Sequence, residues 1–322
     1  TRTLPNIGNT CFFNSVMQIL ASIPQFAAAI AAQILAPDLE ESSYCIAFLK
    51  LFIPAIAQTS AEPGVVLDVT SVRHGGLNLS LEDWADFVRR LTIRHDAGYD
   101  IGQFADPSDL LEHLFSIVPA VDHMCAVDSK SRISFACACS KLPAREKPER
   151  DLGIAIVVDS GASLVHHILH TFAQENVDYQ CDACGLRASD EHPARKQRFL
   201  LSLPRFLRIT IKAPLTAAGL PQDHHQYGPL REYESLDLSQ LVPHLPPEQG
   251  RYTLRAAIMY SRRHHWTCVH SQPPVYISDD VSRVATLDDI QAVATCARVL
   301  VYEQDSPPAA SHVSSNSHLC LN

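Results

Sequence analysis

The sequence lacks any segment long enough to cross a lipid bilayer. Its most apolar run, from Phe26 to Ala36, lies between Pro24 and Pro37, whereas a transmembrane helix needs about 20 apolar residues. The first residues also lack the basic start and the short apolar core of a secretory signal peptide. We therefore expect no membrane partner. Because the chain begins at Thr1 rather than Met, we expect it to be part of a longer polypeptide.

An excess of positive charge is also absent. The chain has 26 Lys and Arg residues against 35 Asp and Glu residues, a net charge of -9. A nucleic-acid groove is therefore not expected, and a cationic peptide or a basic protein face would suit the chain better. There are no internal repeats. With 322 residues, 46% of them hydrophobic, the chain can form one large domain or two to three smaller globular ones.

Ten cysteines occur without a secretory signal. This combination indicates a reducing compartment, the cytoplasm or the nucleus, in which thiols serve metal binding or chemistry rather than disulfides. The sequence therefore directs attention to individual cysteines and their neighbours.

The apolar pattern divides the chain into a helical part and a strand-rich part. Residues 1 to about 120 are mostly helical in pattern, with Asp106-Pro107 predicted as an N-cap followed by proline at the first helical position. From about 125, strand-like composition dominates, including Ile133 to Cys139 and Arg198 to Leu203. The alternation from Leu207 to Lys212 predicts a half-buried strand. The order of the two parts favours an α+β fold.

Cys11 lies at the predicted start of a helix. Thr10 is a candidate N-cap, and apolar residues recur at helical spacing from Phe12 to Ile23. Unpaired amides and the helix dipole stabilise a thiolate in the first helical turn, so the position favours a reactive sulfur. The alternative is a small buried hydrophobic residue at the end of a core helix.

The stretch from Leu4 to Gln18 resembles the cysteine box of the ubiquitin-specific proteases, which are papain-like deubiquitinases. The matching residues are Asn6, Gly8, Asn9, Thr10, Cys11, Phe12, Asn14, Ser15 and Gln18. The resemblance implies that Cys11 is the nucleophile and that the Asn6 amide donates a hydrogen bond to the oxyanion. Such a donor can contribute about 3–4 kcal/mol in the transition state. By itself, Asn6 could equally be a turn residue after Pro5.

A second stretch, Tyr252 to Ser261 followed by His264-His265-Trp266, resembles the family's histidine box. The match implies that His265 is the general base, with Trp266 at the position of a substrate-channel tyrosine. His264 replaces a glycine, so we expect it to crowd the channel for the substrate's tail. A metal cluster of His264, His265, Cys268 and His270, or plain surface polarity, is the alternative. Strand residues four apart lie about 13 Å from one another, which makes a shared zinc awkward.

The segment Val275 to Val284 resembles the family's acidic box and implies that Asp279 orients the base. Asp279 and Asp280 face opposite ways in a strand, so only one of them can do this. A solvated strand end is the alternative.

Asp106 to Leu114 resembles a further family box whose first aspartate grips the Leu-Arg-Gly-Gly tail of ubiquitin. Asp106 and Asp109 occupy the acidic positions, and Ala105 replaces the usual glutamine. A carboxylate suits the arginine of that tail. Asp106 could instead be only an N-cap, or do both jobs.

A zinc site is implied by four cysteines. Cys181 and Cys184 form a C-x-x-C half-site, and Cys137 and Cys139 form the nearest second pair. Four thiolates make a closed structural site, which in the family lies at the tip of a β-ribbon. The C-x-C spacing is unusually tight, so a metal-free ribbon is the alternative. A redox C-x-x-C is a third possibility, but no βαβ pattern supports it.

The resemblance covers nearly all of residues 4 to 303. It implies a papain-like catalytic domain over 1–303, with a thumb over about 1–122, a fingers insertion over about 125–200 and a palm over about 201–303. Residues 304–322 are predicted to be a disordered tail. The implied function is thiol-dependent hydrolysis at the C-terminal glycine of ubiquitin by a monomer without an organic cofactor. A protease for another modifier, such as SUMO, or a non-catalytic ubiquitin-binding scaffold are the alternatives.

Overall fold

The computed structural model describes about two thirds of the chain. The described residues are 4, 10–32, 49–50, 53, 73–74, 77–78, 106–135, 145–158, 161–181, 184–190, 192–212, 229–261, 264–278 and 281–305. Everything below concerns these residues. Of the tail predicted over 304–322, residues 306–322 lie outside them, whereas Gln304 is the last residue of a strand.

Within the described residues, six α-helices and fourteen strands have defined bounds. The helices are α1 (Cys11–Ser22), α2 (Pro24–Ala32), α3 (Pro107–Ile117), α4 (Pro119–Cys125), α5 (Leu164–Thr171) and α6 (Leu287–Cys296). The strands are β1 (Arg73–His74), β2 (Leu77–Asn78), β3 (Val127–Phe135), β4 (Arg145–Asp151), β5 (Ile154–Val157), β6 (Glu175–Val177), β7 (Ala194–Leu200), β8 (Phe206–Lys212), β9 (Ser235–Asp237), β10 (Arg251–Ser261), β11 (His264–Val269), β12 (Val275–Ser278), β13 (Val281–Val284) and β14 (Ala297–Gln304). The predicted α+β fold is confirmed.

The N-terminal helices begin where the sequence predicts. α1 starts at Cys11, although the Thr10 side chain makes no capping hydrogen bond. α3 starts after Asp106, whose carboxylate accepts the Ser108 amide at 2.8 Å, with Pro107 at the first helical position. This confirms the predicted N-cap. No single described helix is long and apolar enough to span a membrane, while α1 and α2 reach that length only together, across a 91° bend.

An eight-stranded sheet forms the centre of the fold. Seven strands follow the order β13-β12-β11-β10-β14-β8-β5, and β9 also pairs with β10. All neighbours are antiparallel except β5 and β8, which run parallel. Helices cover both faces. On one face α1 to α4 pack against residues such as Phe206, and on the other α5 and α6 pack against residues such as Tyr252.

β8 differs from its prediction, because it is buried on both faces rather than half-buried. Six of its seven residues are buried, and Arg208 is only 5% exposed. The physical reason is that α3 covers the face expected to be polar. Arg208 donates to the Ser108 carbonyl at 2.8 Å and pairs with Glu112 at 2.5 Å, so its charge is neutralised inside the fold.

A four-stranded antiparallel sheet with the order β4-β3-β7-β6 forms a separate ribbon between residues 127 and 200. Its strands are held together by antiparallel backbone pairing. Charge pairs also link them, such as Lys130 with Glu146 at 3.3 Å and Arg198 with Asp151 at 2.8 Å. The two strands predicted here overlap β3 and β7 only partly, and β4 was not predicted.

Candidate active site

The structure brings Cys11 and His265 together, although 254 positions separate them in the sequence. The Cys11 Sγ atom lies 3.8 Å from His265 Nδ1. Cys11 is the first residue of α1 and His265 lies in β11, and the two side chains are 2% and 5% exposed. The pairing of a thiol with an imidazole is the arrangement required for a base-activated sulfur nucleophile. The catalytic role of the two residues stays a prediction.

Hydrogen bonds fix α1 against its neighbours. The Thr267 hydroxyl, two residues beyond His265 and on the same face of β11, donates to the Ser15 carbonyl at 3.2 Å. The Asn14 side-chain amide donates to the Leu4 carbonyl at 3.4 Å, which ties the chain before Cys11 to the helix. The separation of Sγ and Nδ1 is therefore set by buried contacts on either side of the pair.

Burial keeps the His265 imidazole neutral. It lowers the pKa of His265 from 6.5 to about 4, an effect that Asp106 opposes and that Arg298 and His264 reinforce. The Tyr260 ring lies opposite His265 across β10 and β11, with ring centroids 4.7 Å apart. A neutral imidazole can accept a proton from the thiol, which an imidazolium cannot.

Asp106 and Asp109 lie in and before the first turn of α3. The Asp106 carboxylate accepts both the amide and the hydroxyl of Ser108, at 2.8 Å and 2.7 Å. It is close enough to His265 to act on the charge of the imidazole. Asp109 and Glu112 line a cavity of about 570 Å³ between α3, the ribbon and β8. Asp106 is therefore associated with the Cys11–His265 pair through its effect on the imidazole.

His264 and Trp266 occupy the face of β11 opposite to His265, because side chains alternate along a strand. Their rings stack at 15° with centroids 6.3 Å apart, and His264 Nε2 lies 2.8 Å from the Ser278 hydroxyl. Trp266 packs against the core under α6. The expected crowding of a channel by His264 and the substrate contact by Trp266 both stay predictions.

The C-x-x-C half-site forms a tight turn at one end of the ribbon. The Cys181 amide donates to the Leu186 carbonyl and the Gly185 amide donates to the Cys181 carbonyl, both at 2.8 Å. Gly185 has a φ of 71°, a conformation that glycine adopts without strain. Cys181 is buried and Cys184 exposed. Within the described residues, no group of three or more His, Cys, Asp or Glu side chains could hold a metal ion.

Four predicted site residues lie outside the described residues: Asn6, Asp279, Cys137 and Cys139. Conversely, the structure adds three residues that sequence reasoning missed. Tyr260, Thr267 and Arg298 gather around His265 or its strand. Each lies in a predicted strand, but the sequence does not show which residues of the adjacent strands lie opposite. The register of β10, β11 and β14 shows this.

Three comparisons with known proteins bear on this chain. The sequence model of a family described as ubiquitin carboxyl-terminal hydrolase matches residues 2–302. Among solved structures, the SAGA Ubp8/Sgf11/Sus1/Sgf73 DUB module bound to ubiquitin aldehyde is similar with a TM-score of 0.68 and 13% identity, over 95% of this chain and 70% of that chain. The same module with a substituted Ubp8, bound to monoubiquitin, gives 0.67 and 14%, over 95% and 69%. No curated protein sequence matches. At such low identity the structural likeness shows a common fold.

We expect the folded state to lose stability as the pH falls from about 6.5 to about 4, because unfolded His265 binds a proton that the buried imidazole does not. Between about pH 7 and about pH 4.5, the protonation of unfolded His265 should lower the free energy of unfolding by about 2–3 kcal/mol. Urea unfolding of the wild type and of His265→Gln at both pH values measures the difference. His270, whose pKa is also lowered by burial, contributes equally to both proteins. An identical acid loss in the variant would contradict a buried neutral His265.

Proposed function

The chain belongs to the ubiquitin carboxyl-terminal hydrolase family, and on that premise we propose that it is a thiol-dependent deubiquitinase. It hydrolyses the isopeptide or peptide bond that follows the C-terminal glycine of ubiquitin. The observation that carries the proposal is the 3.8 Å approach of Cys11 Sγ to His265 Nδ1 within a buried site. Both similar solved structures contain ubiquitin or its aldehyde, which supports the same substrate here.

The reaction has two stages in this geometry. His265 Nδ1 takes the proton of the Cys11 thiol as Sγ attacks the glycine carbonyl carbon. When the tetrahedral intermediate collapses, the carbon–nitrogen bond breaks and the imidazolium gives its proton to the leaving amine. Water, deprotonated by His265, then attacks the thioester and releases the carboxylate and the thiol. In the family, an asparagine at the position of Asn6 donates to the oxyanion, and we assign the same role to Asn6.

Asp279 is the residue that we propose orients the base. Since Nδ1 faces Cys11, Nε2 is the nitrogen left for an acid. β12, whose last residue is Ser278, pairs with β11, and the Ser278 hydroxyl lies 2.8 Å from Nε2 of His264. The residue before Asp279 is thus in contact with the neighbour of His265, which supports the assignment. A carboxylate at Nε2 holds the imidazole in the tautomer that accepts at Nδ1 and stabilises the imidazolium that forms.

We assign substrate binding to Asp106, Asp109 and Trp266. The Asp106 carboxylate is held by two hydrogen bonds from Ser108 beside the catalytic pair, which suits it to accept a bidentate contact from the arginine of the ubiquitin tail. Asp109 adds negative charge one turn further along α3. Trp266 is half-buried on the other face of β11, so its contribution requires substrate on that side of the sheet.

Covalent probes of ubiquitin and SUMO, each with a C-terminal electrophile, test the proposal. We expect the ubiquitin probe to label the wild type and Cys125→Ala, whose thiol is buried with a raised pKa, but not Cys11→Ala. Hydrolysis by Cys11→Ala should fall at least about 10³-fold. Labelling by the SUMO probe alone would indicate another modifier. Absence of any labelling with ubiquitin binding retained would indicate a scaffold, and either result would overturn the proposal.

The neighbouring carboxylates Asp279 and Asp280 offer a matched pair of variants. We expect Asp279→Asn to reduce kcat by about 10²–10⁴-fold, because the wrong tautomer of His265 becomes favoured. Asp280→Asn should change kcat by less than about 10-fold, since the resemblance matches Asp279 and not Asp280 to the acid that orients the base. Steady-state hydrolysis of a fluorogenic ubiquitin amide measures both. A larger loss in Asp280→Asn would reverse the assignment.

We further propose a structural zinc ion held by Cys181, Cys184, Cys137 and Cys139. The Phe135 and Tyr179 rings, each two residues before one of the cysteine pairs, are in contact at 5.5 Å, which supports both pairs lying at the same end of the ribbon. Backbone hydrogen bonds from Cys181 to Leu186 and from Gly185 to Cys181 hold the chain around this half-site in place. All six described cysteines are free thiols, which suits a cytoplasmic or nuclear protein.

Elemental analysis of the purified protein should give about one zinc per chain, because four thiolates form a closed tetrahedral site. We expect Cys181→Ser to lose the zinc and to lower the midpoint of thermal unfolding. Cys296 is a buried cysteine at the end of α6. The control variant Cys296→Ala should keep the metal. A zinc content near zero in protein produced with added zinc would favour the metal-free ribbon.

A further inference from the structure

Three side chains from three adjacent strands form a stack beside Cys11. The imidazole of His265 in β11 lies against the Tyr260 ring of β10, with centroids 4.7 Å apart and planes at 41°. The Arg298 guanidinium, from the start of β14, lies over the Tyr260 ring at 5.1 Å from its centroid. The guanidinium carbon is therefore within about 10 Å of the imidazole centre. This contact is a cation–π interaction, which fixes both the ring and the charge.

The register explains why Arg298 reaches this position. After an earlier shift between Leu254 and Ala256, β10 and β14 pair regularly from Ala256 and Val301 to Ile258 and Val299. The pairing then shifts again, so that Met259 lies opposite Ala297. Arg298 is the extra residue at this irregularity. Bulges re-aim side chains next to functional sites. Here the shift directs a cationic side chain towards the sheet face that carries His265.

The charged and titratable groups around His265 come from several elements. Cys11 faces it from α1, Asp106 acts on it from the start of α3, and His264 is its neighbour in β11. The described part of β12 contributes Ile277 to this face. Asp106 favours the imidazolium, whereas Arg298 disfavours it. Without Arg298 the carboxylate of Asp106 would act on the base with less opposition.

We propose that Arg298, held on the Tyr260 ring, is a positioning residue for the reaction proposed above: it fixes Tyr260 against the imidazole and keeps His265 in the neutral, proton-accepting form. The residue acts through Tyr260 and through its charge, without touching the reacting atoms. The enzyme consequently stays active at a lower pH than it would with Asp106 alone beside the base.

The pH profile of kcat/KM tests this role. In Arg298→Met the acidic limb should move up by about 1 pH unit, the effect of one charge at about 10 Å with an effective dielectric constant of about 20. Tyr260→Leu, which removes the aromatic ring that the guanidinium lies over, should move the acidic limb in the same direction. Arg298→Lys and Tyr260→Phe, which keep the charge and the ring, should leave the limb within about 0.2 units. The substrate is a fluorogenic ubiquitin amide.

The matched control is Arg205→Met. Arg205 also lies over an aromatic ring, that of Phe206 at 5.4 Å, but just before β8 and away from His265. It should keep the wild-type profile. An unshifted acidic limb in folded Arg298→Met, or an equal loss of rate at every pH, would overturn the proposal. Arg298→Gln replaces Arg298→Met if circular dichroism shows the latter to be unfolded.

NMR titration of the His265 ring in Cys11→Ser protein separates this proposal from the function on which it rests. The midpoint of titration should rise in Arg298→Met by the same amount, about 1 unit, whether or not the wild type hydrolyses ubiquitin. An unchanged midpoint would reject the role of Arg298 alone. A wild type that hydrolyses no ubiquitin substrate would instead reject the proposed function, and the titration would still decide on Arg298.

Discussion

The packing of α1 against β11 is the constraint on which the site depends. Every residue of α1 from Cys11 to Ala21 is buried, so the helix is enclosed by protein rather than resting on a surface. Such a helix cannot slide or rotate without breaking close-packed contacts. Cys11 is its first residue, and the hydroxyl of Thr267 binds the carbonyl of Ser15 one turn further on. The packing of α1 against β11 therefore fixes the position of the sulfur.

A second buried contact places the acidic side of the site. Arg208 reaches from β8 through the core to the Ser108 carbonyl and to Glu112, and so attaches the first turn of α3 to the sheet. The close approach of the chain at Gly153 leaves no room there for a Cβ atom, which would lie 2.8 Å from Arg208 Nε. Since Asp106 caps the same helix, the Arg208 contact indirectly sets where that carboxylate lies relative to His265.

Local signals in the sequence were sufficient for some of this arrangement and not for the rest. The start of α1 at Cys11 and the cap at Asp106 depend on residues within one helical turn, and both were predictable. The burial of Arg208 was not, because it depends on α3 covering a strand about 100 positions away. β4 was not predictable for another reason. Its sequence is highly charged and contains Pro148, and proline within a strand is tolerated only at the edge of a sheet. It is held by antiparallel backbone pairing with β3 over seven residues, and no single stretch of sequence reveals that pairing.

The order of the strands has a consequence for biosynthesis. β14 is the last strand of the described residues but lies inside the sheet, between β10 and β8. Translation proceeds at about 5–20 residues per second, so roughly 13 to 50 seconds pass between the synthesis of Cys11 and that of His265. During that time the nascent chain carries a thiol with no imidazole of β11 beside it. The thiol and the imidazole can therefore pair only after β11 has been synthesised, and the sheet that carries β11 is complete only after β14. A product truncated before β11 would contain a cysteine without its base.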